Sequence, residues 1–204
     1  MADAGRVIAG TASGRRLAAP GDGTRPLADR VKQTLFAILE PDLPGAAVLD
    51  LFAGSGAAGI EALSRGALTV TFVERDPVAV RTIEANLRAT GLAGPAAMVV
   101  RADVLAWLAL GGPDRTVAGA TKSSAGPFDI VVVDPPYADT EVLARVLERL
   151  GAVDGPLAPG ARVVSKHFWR DRPPARIGLL ASERERRFGE TTLTFHRRLA
   201  GEDR

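Results

Sequence analysis

The chain of 204 residues has no cysteine, only two histidines, and no long apolar run. Without a thiol it can form no disulfide framework, thiolate-bound zinc, iron–sulfur cluster or cysteine nucleophile. Two histidines cannot supply a multi-histidine centre, so no metal site is expected. No stretch approaches the roughly 18 apolar residues of a membrane span, and the first ten residues lack a signal-peptide pattern. The expected compartment is therefore the cytoplasm, with no membrane partner. At roughly 100 to 200 residues per domain, the length suits one well-cored domain with a small appendage.

Lysine is scarce as well. Of 26 basic residues only Lys32, Lys122 and Lys166 are lysine, and the net charge is +2. That total hides an uneven distribution. Residues 1–40 carry six Lys/Arg against four Asp/Glu, residues 41–160 nine against fourteen, and residues 161–204 eleven against six. An acidic middle between basic ends suggests chemistry in the centre and polyanion contacts from the termini.

What is present is a regular alternation of elements. Residues 6–17 read as two short strands around a glycine-containing turn, and 27–39 as a helix ended by Pro41 and Pro44. Strands are expected at 47–51, 69–73, 97–100 and 128–133, and helices at 57–65, 78–90, 104–110 and 140–150. Strands without period-2 polarity alternating with helices imply a parallel sheet covered on both faces. After Pro159 and Gly160 the helices stop; strands at 162–166, 177–187 and 191–197 predict an antiparallel C-terminal edge. Residues 111–127, rich in Gly, Ala, Ser and Thr, read as a surface loop.

Two motifs carry chemistry. The first expected strand ends in Asp50-Leu51-Phe52 and runs through Ala53-Gly54-Ser55-Gly56-Ala57-Ala58-Gly59 into a helix. This is G-x-G-x-x-G in its strand-to-helix setting: glycines permit close approach to a ligand, and the N–H groups of the helix start favour a negative group. Glu74 ends the next strand, suited to ribose hydroxyls, and Asp103 follows the third, where an adenine amino group can be met. An adenosine-type cofactor is expected. The glycines fit both NAD and S-adenosylmethionine, while Asp50 suits a cationic amino group better than a pyrophosphate.

The second motif is Asp134-Pro135-Pro136-Tyr137, directly after a strongly apolar strand. Consecutive prolines donate no N–H and hold a rigid extended turn, so carbonyls and the Asp134 carboxylate are available as acceptors. Acceptors beside an aromatic ring suit an exocyclic amino group on a flat base. Asp134 and the Pro135 carbonyl hold its N–H groups, and Tyr137 stacks on the ring. Methyl transfer to such a nitrogen needs alignment and desolvation rather than a nucleophile or metal.

The order of Asp50 to Gly56, Glu74, Asp103 and Asp134 to Tyr137 resembles class I S-adenosylmethionine-dependent amino methyltransferases. Arg6-Val7-Ile8-Ala9-Gly10, Gly14-Arg15, Thr24-Arg25-Pro26, Asp29-Arg30-Val31 and Phe188-Gly189-Glu190-Thr191 narrow the resemblance to the RsmD family of 16S ribosomal RNA guanine-N2 methyltransferases. It spans nearly the whole chain. The resemblance implies a Rossmann-like, mostly parallel α/β sheet with helices on both faces, an N-terminal β-hairpin extension over 1–23 and a methyltransferase domain over 24–204. It implies S-adenosylmethionine, leaving as S-adenosylhomocysteine, at Asp50, Phe52, Gly54, Gly56, Glu74 and Asp103. It places the guanine amino group at Asp134, Pro135 and Tyr137. The RNA would be gripped by Arg6, Arg15, Arg16, Arg25 and Arg30, with Lys32, Arg184, Arg186 and Arg187 as further phosphate contacts. The expected substrate is 16S rRNA within a small-subunit particle or assembly intermediate, acted on by a monomer. Where the family usually carries an acid, this chain has Ser165-Lys166, and that strand end is assigned no role. Amino methylation of adenine N6 or cytosine N4 in DNA, and a ribosome-assembly factor with a vestigial site, are the alternatives; a nicotinamide oxidoreductase has no use for Asp134 to Tyr137.

Overall fold

The computed structural model describes residues 3–21, 28–111, 127–136 and 140–200. The chain forms two compact units, Met1–Ala102 and Asp103–Arg204.

The first unit is built on three parallel strands in the order β5-β4-β3: β3 (Ala47–Leu51), β4 (Thr69–Glu74) and β5 (Ala97–Arg101). Val48, Leu49, Leu51, Val70, Phe72 and Val73 are all buried, as expected of a strand covered on both sides. Between the strands run α2 (Ala57–Ser64) and α3 (Pro77–Thr90). The start of α3 is fixed by Asp76, whose side chain accepts from the Val78 N–H, and by Pro77 in the first turn; left-handed Gly91 ends it. Ahead of the sheet lie β1 (Asp3–Arg6), β2 (Arg16–Ala18) and α1 (Asp29–Leu39). Helix α1 buries Val31, Leu35, Phe36 and Leu39 along one face.

The two short N-terminal strands form as expected, antiparallel, but at 3–6 and 16–18, leaving 7–15 irregular between them. The reason lies in α2. Fully buried Glu61 accepts from the Ile8 and Ala9 N–H groups at 2.7 and 3.0 Å. Ser64 accepts from the Ala12 N–H and donates to the Ala9 carbonyl. These side chains take the backbone groups that a longer hairpin would have paired across strands. Lys32 also departs from expectation. Instead of facing RNA it is fully buried, donates to the Arg6 carbonyl and pairs with Glu61 at 3.9 Å and Asp29 at 3.8 Å. Burial pulls its pKa down, opposed by those two carboxylates.

The second unit comprises α4 (Val104–Ala109), β6 (Phe128–Val133), α5 (Thr140–Leu150), β7 (Leu157–Phe168), β8 (Arg176–Ile177), β9 (Leu180–Phe188) and β10 (Thr191–Arg198). Its strand order is β6-β7-β10-β9-β8, with β6 and β7 parallel and the rest antiparallel. The α/β class, the parallel start and the antiparallel C-terminal edge are as expected. Strand β7 is far longer than the predicted 162–166. Phe128 pairs with Leu157 and the register then shifts, so Pro159 and Gly160 sit within the strand rather than before it. His196 lies buried in β10 within reach of Ser165, its ring pushed by burial down to about 4 and hence neutral.

Glu61 is the node of the buried network. Glu61→Ala leaves Lys32 buried without its internal carboxylate and frees two N–H groups, and should lower stability by about 3 to 5 kcal/mol. Urea unfolding measures this; a loss below about 1 kcal/mol, the worth of one ordinary hydrogen bond, would contradict the assignment.

Candidate active site

In the first unit, the turn from β3 into α2 is held by side chains from three elements. Phe52 has φ +59°, the only left-handed non-glycine among the described residues, a conformation costing about 1 to 2 kcal/mol. Gly54 and Gly56 follow at +54° and +77°, where an L side chain would add further strain. Glu74 at the end of β4 accepts from the Gly54 N–H at 2.9 Å through one oxygen and from the Asp76 N–H at 2.9 Å through the other. Asp50, 2% exposed on β3, accepts from the Gly59 N–H at 2.9 Å. Helix α2 has no capping side chain of its own, so Asp50 supplies the cap from the preceding strand. Buried Asn86 on α3 donates to the Ser55 carbonyl at 2.9 Å and exchanges two hydrogen bonds with Ala18.

The third glycine acts through packing. A Cβ at Gly59 would lie 2.2 Å from the Phe72 ring and 2.8 Å from Val70, so only glycine lets α2 sit this close to β4. Gly56 donates to the Ala53 carbonyl and Gly59 to Asp50; the Ala57 and Ala58 N–H groups at the helix start have no acceptor among the described residues. A Cβ at Gly54 would make only an ordinary contact, with the Phe52 carbonyl oxygen at 3.9 Å. Helix-start donors, an open glycine backbone and the Glu74 carboxylate fit a cofactor with an anionic group and a ribose.

The second unit opens with Asp103, exposed at the N-cap of α4, where its Oδ1 accepts from the Ala106 N–H at 3.0 Å. Asp134 follows β6 directly. Its Oδ1 accepts a hydrogen bond from Lys166 Nζ at 2.6 Å, with the two side chains 24% and 11% exposed. Burial raises the Asp134 pKa, while the Lys166 ammonium and its hydrogen bond pull it back. Pro135 is buried and Pro136 exposed. Tyr137 and Arg25, like residues 112–126 of the expected loop, lie outside the described residues.

The family described as Conserved hypothetical protein 95 matches residues 5–197. The chain belongs to it. A Bacillus subtilis (strain 168) protein, YlbH, provisionally named an rRNA methyltransferase, is 35% identical over 196 residues, covering 95% of this chain and 98% of that one. Ribosomal RNA small subunit methyltransferase D of Escherichia coli (strain K12) is 42% identical over 133 residues, 65% of this chain and 60% of that protein. The solved structure of an Escherichia coli protein, yhhF, provisionally described as a methyltransferase, has a TM-score of 0.79 at 31% identity, covering 96% of this chain and 98% of that one. The fold is that of class I methyltransferases.

Within this family member the expected RNA-binding arginines differ in state. Arg6 lies 3.7 Å from Asp29 and Arg16 3.4 Å from Asp3, both largely exposed. Arg15 and Arg30 are exposed with no carboxylate partner among the described residues. Sequence reasoning passed over Asn86 and Lys166. A polar residue on the otherwise apolar face of α3 was the signal for Asn86. For Lys166 there was no local signal, since nothing in the sequence around it points to Asp134.

Both influences that hold the Asp134 pKa down come from Lys166. In Lys166→Met the Asp134 carboxyl should therefore protonate at a higher pH than in the wild type. Carboxyl-carbon NMR titration reads this directly; an unchanged or lower midpoint would contradict the pairing.

Proposed function

We propose that the chain transfers a methyl group from S-adenosylmethionine to the N2 amino group of a guanine in 16S ribosomal RNA, acting as a monomer on a small-subunit particle or assembly intermediate. The observation that carries this reading is Asp134. Its partly exposed carboxylate follows a buried strand, precedes two residues without N–H donors, and accepts from the Lys166 ammonium at 2.6 Å. A guanine amino group would use the same acceptor. The relatives' names, which specify rRNA methylation, support the substrate class.

S-adenosylmethionine, when bound, supplies an electrophilic methyl group on a sulfonium. The cofactor is assigned to the α2 start, Gly54, Gly56, Phe52, Glu74, Asp50 and Asp103. The helix-start N–H groups take its carboxylate and Glu74 its ribose hydroxyls. Asp134 and the Pro135 carbonyl accept from the guanine N2 hydrogens and orient the nitrogen lone pair, and Tyr137 stacks on the base. With the methyl group supplied by the cofactor, Asp134 or solvent would take the proton that the nitrogen sheds. Alignment supplies most of the acceleration. The target guanine must be unpaired or turned out of its helix, since its N2 edge is engaged in a duplex. Exposed Arg15 and Arg30, with Arg6, Arg16 and Arg25, grip the phosphates.

Purified protein incubated with methyl-labelled S-adenosylmethionine and small-subunit particles carrying unmodified 16S rRNA should yield labelled N2-methylguanosine on nucleoside digestion. Asp134→Asn should lower kcat by about 100-fold or more while leaving S-adenosylhomocysteine affinity within a few-fold. Label on adenine N6, or full activity in Asp134→Asn, would overturn the reading.

A further inference from the structure

Strand β7 ends at Phe168, and Trp169 follows, its N–H donating to the Glu190 carbonyl at 2.9 Å in the turn between β9 and β10. Two guanidinium groups lie on the Trp169 ring: Arg187 at 4.2 Å and Arg170 at 4.8 Å from its centroid. The Phe168 ring lies 6.1 Å from it, tilted by 45°. Arg187 Nε also donates to the Gly189 carbonyl at 2.8 Å, so its fork is held by both ring and backbone.

Ion pairing around this corner is uneven. Arg162 and Arg197 pair with Glu183, and Arg172 with Glu185 at 2.6 Å. Arg170 and Arg187 have no carboxylate partner among the described residues, although Asp171 and Glu190 are their neighbours in sequence and exposed. Two like charges sharing one ring repel, and attraction to the ring face only partly offsets this. An external anion at either guanidinium lessens the repulsion. Stacking has meanwhile restricted two long side chains before any ligand arrives, and guanidinium forks match phosphate oxygens. Arg184 and Arg186 alternate with Glu185 and Arg187 along β9 and so fall on the opposite face of that strand.

We propose that Trp169, Arg170 and Arg187 form a phosphodiester clamp for the RNA substrate, with Trp169 as the platform that presents both guanidinium groups. The identity of the polyanion rests on the functional reading above; the clamp itself rests on the ring and its two unpaired cations.

The test measures binding of a short fluorescein-labelled single-stranded RNA across a salt series, with methyl transfer by the wild type read in parallel. Arg170→Gln/Arg187→Gln should weaken binding and flatten the logarithmic salt slope by about 0.7 for each phosphate no longer neutralised. Arg184→Gln/Arg186→Gln removes equal charge from the other face of β9 and should cost clearly less. Trp169→Leu should weaken binding without any change of charge, and Trp169→Phe should restore part of it. S-adenosylhomocysteine affinity should stay unchanged in every variant, which also reports an intact fold. Wild-type RNA affinity in Trp169→Leu, or equal losses in the two double variants, would overturn the clamp. Quenching of Trp169 fluorescence by inorganic phosphate as strong as by RNA would assign the site to free phosphate and overturn it as well. Methylation by the wild type alongside unaffected binding by the clamp variants removes the clamp alone. RNA binding without methylation removes the functional reading alone.

Discussion

The turn from β3 into α2 survives only because side chains on three separate elements hold it. Left-handed Phe52 is strained, and a loop in that conformation relaxes unless its backbone groups are over-determined. Glu74 grips Gly54, Asp50 grips Gly59 and Asn86 grips Ser55. Asp50 serves twice in physical terms: its carboxylate is desolvated in the sheet, yet it lies at the positive end of α2 and satisfies one of that helix's orphan donors. Gly59 then allows α2 to sit directly against Phe72 and Val70. The donors left at Ala57 and Ala58 are thus presented by a rigid support rather than by a mobile loop, which is what electrostatic binding of a cofactor carboxylate requires.

The second unit solves a different problem. The Asp134 carboxylate is partly removed from water, and burial raises its pKa. Lys166 offsets that tendency at 2.6 Å from Asp134. The same ammonium engages the oxygen that the proposed guanine amino group would use, so under that proposal the substrate competes with it or shares the carboxylate. A cation at this place also opposes positive charge on the methylated nitrogen. Under that proposal the Lys166 side chain is a constraint on the reaction as well as a support for its acceptor.

Local pattern revealed much of this. Strands β3 and β6 were legible because covered strands read as nearly continuous apolar runs, interrupted here only by Asp50 and Asp129. Helix α5 was legible because Leu143, Val146, Leu147 and Leu150 recur at helical spacing. The glycine turn was legible because few other local structures need that spacing between a strand and a helix. What pattern missed depended on partners distant in sequence. Lys32 looked like a surface cation until Glu61, 29 residues later, was placed beside it. The bounds of the two short N-terminal strands were not legible because the partners of the segment between them, Glu61 and Ser64, lie on a helix. The Asp134–Lys166 pair joins the ends of two parallel strands, a link that no local window contains. The basic C-terminus was visible as a charge surplus, but only the structure separates arginines paired with Glu183 and Glu185 from those held on Trp169.

The central claim, methylation of a guanine amino group in small-subunit rRNA through Asp134, is tested most directly by nucleoside mass spectrometry of 16S rRNA from cells lacking this protein. One N2-methylguanosine should disappear, return when the wild-type chain is supplied, and stay absent when the chain carries Asp134→Ala. An unchanged complement of N2-methylguanosine, or full restoration by Asp134→Ala, would contradict the account.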